Sequence, residues 1–249
     1  IINIINAEIE GNITARGINS IEITGSKIGK IETIGLSTMK VDSCIIEGEE
    51  IGIKESGELL LNDSKIELKK TIDVIEGGKL KILKSNINSK YATCIRKKGY
   101  EVMECKDSEI SGTDGIVVEE GNENIFTKVK IQSELNGILV KEMSQVQLKY
   151  VTIESKGIGI YLQEKQKEKF ESVIIKAHEV IIFNHSEIKI FDSYLEGNLT
   201  INGINLIDIE NSDISSVSVV GTGVLNIKNC DVNGKVVIVE QNAELEIKN

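Results

Sequence analysis

Apolar and polar residues alternate in short runs along this chain, and the runs recur. The clearest unit reads apolar-x-apolar-x-(Asn/Asp)-(Ser/Cys)-x-(Ile/Val/Leu). It appears as LLLNDSKI at 59–66, IKIFDSYL at 188–195, LIDIENSDI at 206–214 and VLNIKNCDV at 224–232. Looser copies are MECKDSEI at 103–110 and IEITGSKI at 21–28. The last apolar position of each copy falls at Ile9, Ile28, Ile45, Ile66, Ile87, Ile110, Ile131, Ile153, Ile174, Leu195, Ile214 and Val232. These twelve positions lie 17 to 23 residues apart, a period typical of solenoid repeats.

Each copy carries two further apolar stripes. One runs through pairs such as Leu59/Leu61, Leu80/Ile82, Met103/Cys105, Ile188/Ile190 and Leu245/Ile247. The other runs through Ile51/Ile53, Ile72/Val74, Ile116/Val118, Ile138/Val140, Ile158/Ile160, Leu199/Ile201, Val217/Val219 and Val236/Ile238. A period of two within each pair is that of a strand with one face buried, and no helical period of 3.6 persists. A β-sandwich would also alternate, but it has no need of one register repeated twelve times. The pattern therefore predicts an all-β fold: a right-handed parallel β-helix solenoid of about twelve coils with three short strands per coil, as one domain over 1–249. The (Asn/Asp)-Ser pair marks a tight corner, because Asn and Asp tolerate the left-handed backbone such a corner needs. Stacked coils should then align Asp63, Asp107, Asp192, Asn211 and Asn229 as an edge ladder, with Gly115, Gly137, Gly157 and Gly197 at a second corner. The chain begins with Ile1 rather than Met, and AELEIKN (243–249) opens a thirteenth copy. A fragment of a longer chain, or a mature form, is expected.

Composition narrows the partners. Aromatics make up 4% and proline and tryptophan are absent, so the core must be aliphatic and every strand residue can donate to its neighbour. The formal charge is −10, and Arg16 and Arg96 are the only arginines. That balance argues against nucleic acid as the main partner and against unaided capture of a polyanion. No apolar run approaches the ~18 residues of a membrane span. Cys44, Cys94, Cys105 and Cys230 show no metal-ligand spacing and sit among apolar neighbours, as buried free thiols do.

The segments SGTDGIVVEEG (111–121), SELNGILVKEM (133–143) and SKGIGIYLQEK (155–165) resemble the short repeats of the pectate-lyase-like parallel β-helix superfamily. The resemblance implies the fold and a secreted or cell-surface location, but members include enzymes and non-catalytic surface proteins alike. The enzymes' motifs are missing. Gly112-Thr113-Asp114-Gly115 is only faintly similar to the Asn-Thr-Asp of polygalacturonase-like hydrolases, and no Asp-Asp, Gly-His-Gly or Arg-Ile-Lys occurs. Neither arginine has the carboxylate context of a calcium-dependent lyase, and an Asp-Pro-His signature is impossible without proline. A lysine base could still serve a lyase. His178 and His185 flank Ile181-Ile182-Phe183 with no local metal spacing, and no cofactor is expected. A calcium ion bridging coils through Asp63, Asp107 and Asp192 is conceivable.

One asymmetry remains. All nine aromatic residues fall between Tyr91 and Tyr194, together with the lysine-rich inserts at 96–100 and 164–170. Inserts on a rigid solenoid are where binding sites are built. The candidate ligand-binding residues are therefore Tyr100, Tyr150, Tyr161, Lys97, Lys98, Lys165 and Lys167. The expected function is a non-catalytic, adhesin-like module binding polysaccharide or another cell-surface partner. The alternatives are a polysaccharide lyase or glycoside hydrolase, and a structural spacer that self-associates end to end or side by side.

Overall fold

The computed structural model describes residues 1–121, 123–163, 167–183, 186–239 and 244–248. Among the described residues thirty strands join in one sheet that winds into a β-solenoid of about 11 turns, close to the twelve expected. Neighbouring strands pair in parallel throughout. No helix occurs among the described residues, and so none long and apolar enough to cross a membrane.

Each coil contributes to three faces. The first stacks strands such as Thr38–Asp42, Glu58–Asn62 and Lys79–Leu83. The second stacks Ile45–Gly48, Lys65–Leu68 and Asn86–Ser89. The third stacks Ile51–Lys54, Ile72–Val74 and Ile95–Lys98. In some coils two faces run on as one bent strand, as in Met103–Gly112 and Ile174–Phe183.

Inward side chains form continuous columns. On the first face Ile82, Cys105, Phe126, Leu148, Phe170 and Ile190 align in register, all essentially sealed from solvent. The two phenylalanines thus fill the core where the coils are longest, with the small Cys105 beside Phe126. The stripes read from the sequence hold with three shifts of position. Ile46 and Ile175, not Ile45 and Ile174, carry the second-face column; Ile45 and Ile174 are 44% and 41% exposed. On the third face Ile160 and Leu162 pair with Ile138 and Val140, leaving Ile158 beside Asn136. In each case two apolar residues compete for one inward slot, and the alternation of the strand chooses between them.

The corner between the first and second faces is uniform. Asp63, Asp107, Asp192, Asn211 and Asn229 all have positive φ, between 45° and 53°. The same column includes Ser43, Lys84, Lys128, Tyr150 and Ser172, for which that backbone is costlier. The residue after each corner turns inward, and where it is serine it ties the coils together. Ser85 Oγ accepts the Ser64 N–H at 3.2 Å and donates to the Leu83 carbonyl at 2.8 Å. Ser64 does the same for Cys44 and Asn62. Cys44 takes the serine's place in its coil, its Sγ 3.4 Å from the Ser26 N–H. All four cysteines are free thiols, and burial pushes Cys105 up to about 12.

At the second corner Gly159, rather than Gly157, continues the Gly115–Gly137 column. A Cβ on Gly137 would lie 2.4 Å from both the Gly159 carbonyl oxygen and Ile153 Cγ2, so only glycine fits.

Candidate functional site

Outward positions are mostly charged, and ion pairs link adjacent coils. Examples are Lys54–Glu32 (3.0 Å), Lys81–Glu104 (2.7 Å) and Lys228–Glu210 (2.8 Å). Such exposed pairs contribute about 0–1 kcal/mol each. They form the background against which two regions stand out.

The central outward row of the third face reads Gly52, Asp73, Arg96, Val117, Leu139, Tyr161, Ile181, Thr200, Ser218 along the solenoid axis. In its middle the row turns apolar over four successive coils. Phe183, which ends the strand carrying Ile181, extends this surface; its ring lies 5.6 Å from that of Tyr161, tilted by 57°. The edges are polar. Arg96 donates two hydrogen bonds to Asp73 at 2.9 and 3.0 Å, and Thr200 Oγ1 donates to Glu179. Lys141 and Glu119 pair at 3.0 Å along one side. The result is an aromatic-aliphatic platform held on rigid strands.

Around the adjoining corner, between the second and third faces, runs an open polar groove of about 660 Å³. Asn88, Ser111, Gln132, Glu154 and Lys176 line it coil by coil. Ser111 Oγ donates to Asn88 Oδ1 at 2.9 Å, and Gln132 Nε2 donates to Glu154 at 2.9 Å. Lys156 pairs with Glu134 at 2.5 Å. Lys90, at one end, carries its ammonium 5.0 Å from the Tyr91 ring centroid. Ser133, also part of the lining, is 7% exposed, and its Oγ has no partner among the described residues.

The structure does not gather the residues singled out in the sequence into one place. Tyr161 lies in the platform. Tyr100, 69% exposed, follows the third-face strand Ile95–Lys98, at the corner leading to the first face. Lys98, on that strand, is paired with Glu120 at 3.3 Å. Tyr150 sits at the opposite corner in a left-handed backbone, with the Lys149 ammonium 5.3 Å from its ring centroid. Lys167 points outward from the first face and pairs with Glu187 at 2.9 Å. Lys165 and His185 lie outside the described residues. Lys97 is not on the surface at all: it takes a core position at 1% exposure, donating to the Gly99 carbonyl at 2.6 Å. Burial pulls it down to about 8, only partly opposed by Glu101.

Sequence reasoning missed Val117, Leu139, Ile181 and Phe183. Their signal was nevertheless present. Several other third-face strands read apolar-polar-apolar, as in Ile72-Asp73-Val74 and Leu199-Thr200-Ile201; here three neighbouring coils read Ile116-Val117-Val118, Ile138-Leu139-Val140 and Val180-Ile181-Ile182-Phe183, a run matched singly by Val236-Val237-Ile238 near the other end. An apolar residue at the outward phase of a period-two strand is the mark of a covered or binding face.

For catalysis and metals the arrangement offers little. Both groove carboxylates are engaged by cations, and Glu154 is held below its ordinary range by Gln132 first and Lys130 second, the reverse of what a general acid needs. The corner carboxylates are not neighbours. Lys84 stands between Asp63 and Asp107, and three corners separate Asp107 from Asp192. Among the described residues no three His, Cys, Asp or Glu side chains come together to hold a metal ion. No protein-family model, curated protein or solved structure matches the chain.

Proposed function

We propose that this chain is a non-catalytic β-solenoid module, similar to the pectate-lyase-like superfamily, that binds polysaccharide at the cell surface or after secretion. The observation that carries this reading is the outward platform of the half-buried Leu139, Tyr161, Ile181 and Phe183, closed at one end by Val117, which is only 6% exposed. Coils stack about 4.8 Å apart and strands rise about 3.3 Å per residue, so the platform is about 14 Å by 7 Å. That is roughly 100 Å², well below the ~800 Å² per partner of a stable protein interface. A narrow ligand with flat, apolar C–H faces and polar edges suits it better, and a pyranose chain has both. Aromatic rings supply the stacking surface, while Arg96, Asp73 and Glu179 stand at the edges to meet hydroxyls.

A pull-down on insoluble cellulose, chitin, xylan and mannan tests the reading. The wild-type chain should bind at least one of them, and Tyr161→Ala should weaken binding about tenfold, as expected of a central aromatic contact. Equal binding by wild type and variant, or none by either, would sink the platform. Reducing-end and unsaturated-product assays on the same samples should stay blank; product would make the chain an enzyme.

A further inference from the structure

We propose that the edge joining the first and second faces, from Lys84 to Tyr194, is a peripheral docking surface for an anionic lipid bilayer. It shares no residue with the platform and does not depend on it.

The charge on this edge departs from its surroundings. Many lysines elsewhere are tied into pairs between coils, as Lys40 is to Glu22 and Lys69 to Glu49. Here Lys84, Lys106, Lys128 and Lys149 stand one per coil over four successive coils, all of them exposed. Of the four, only Lys149 has an ion-pair partner among the described residues, Glu171 at 2.6 Å. Asp107 is the one carboxylate in the corner column between Lys84 and Ser172. On the far side Asp192, Asp213 and Asp231 end the stripe.

The backbone of the same edge is strained. Lys84, Lys128 and Tyr150 hold φ values of 47°, 54° and 56° at the corner where other coils place Asp63, Asn211 and Asn229. Asn and Asp accept this left-handed conformation far more readily. Two long cations and an aromatic ring are thus kept there against the local preference, as residues under functional constraint are.

The stripe then runs into exposed apolar side chains. Tyr150 is 50% exposed at the corner, and Ile174 and Tyr194, register neighbours on the second face, are 41% and 39% exposed. From Lys84 to Tyr194 the edge advances five coil steps, about 24 Å. It is convex and encloses nothing, so it suits a broad surface better than a small molecule. Lysine ammonium groups meet lipid phosphates, while the tyrosines and Ile174 suit the boundary between headgroups and acyl chains. A hydrated acidic polymer would use the lysines and leave Ile174 in water. The net charge of −10 does not oppose the contact. At physiological salt a charge is screened within about 8 Å, and a five-residue face is about 16 Å wide.

Co-sedimentation with phosphatidylcholine vesicles, with and without about 30 mol% phosphatidylglycerol in about 0.15 M salt, tests the proposal. The chain should bind only the anionic vesicles and leave them in about 1 M salt. The double variant Lys84→Asn, Lys128→Asn should bind about tenfold more weakly, having lost two basic contacts. Its chemical-denaturation midpoint should hold or rise, because Asn suits the corner. Lys106→Glu, on the strand Met103–Gly112 and without that backbone constraint, should weaken binding as well. Absence of binding to the anionic vesicles, even with capture of soluble heparin or polyglutamate, would overturn the proposal. So would equal binding to both kinds of vesicle, or undiminished binding by both variants.

Discussion

Lys97 shows how a single residue departs from the pattern around it. Its register partners on either side are Val74 and Val118, so a lysine occupies an inward slot that valine fills in adjacent coils. Burial lowers its affinity for a proton to about 8, below the ~10.4 of an exposed lysine. Between those values the unfolded chain holds the proton more tightly, so stability rises with pH there and the penalty is full below about 8. Lys97→Met is expected to stabilise the fold at pH 7 by about 1–3 kcal/mol, as replacement of buried charge by an apolar side chain often does. In urea unfolding the gain should shrink as the pH is raised from 8 toward 10. Glu168 is the opposite case. It is buried in the strand Lys167–Glu171, accepts the Val146 N–H at 2.6 Å through Oε2, and has no partner for Oε1 among the described residues. Burial raises it well above the carboxylate range, with Glu123 adding to the shift. The folded state then holds the proton more tightly, so its contribution is complete in acid and declines as pH rises past the ordinary carboxylate value.

At the scale of the element, the serine corner is the repeated device. One Ser Oγ serves two coils, accepting from one and donating within the other, as Ser64 and Ser193 do. Ser64→Ala removes the acceptor of a buried backbone N–H and should cost about 1–3 kcal/mol, read from the chemical-denaturation midpoint. Ser64→Cys should recover part of that, because Cys44 and Cys230 fill equivalent places. This corner was legible in the sequence, since few residues tolerate its left-handed backbone. The inward choice between Ile45 and Ile46 was not, because both are isoleucine and only the neighbouring strands Lys27–Ile34 and Lys65–Leu68 fix the phase. The groove was hidden for a related reason: its lining comes from five coils, at most three residues from each, and no local motif marks it.

For the whole molecule, contacts run from each coil to the next, so a local injury should stay local. Phe126 is fully buried between Cys105 and Leu148. Phe126→Ala is expected to cost about 3–5 kcal/mol. Hydrogen exchange should accelerate in the strands Met103–Gly112, Glu123–Ser133 and Gln145–Lys149, while Thr38–Asp42 and Glu58–Asn62 keep their protection. Uniform acceleration along the chain would show instead that the solenoid opens as one cooperative unit.

The sequence by itself determined the repeat, its period, the strand alternation and the Asn/Asp corner. Each rests on local geometry: a pleat that alternates every residue, and a backbone angle few side chains accept. It also located the unusual coils, through the aromatics between Tyr91 and Tyr194. Only the tertiary structure decided which of these residues meet. Tyr150 and Tyr161 lie within one turn of each other in the chain, yet one stands at a corner and the other on the third face, because a turn of about 20 residues sends neighbours in the chain around the solenoid; Tyr100 stands at a further corner. The residues that share a surface, Val117, Leu139, Tyr161 and Ile181, or Ser111, Gln132 and Glu154, are one coil apart each. Stacking, not adjacency, assembles both candidate sites.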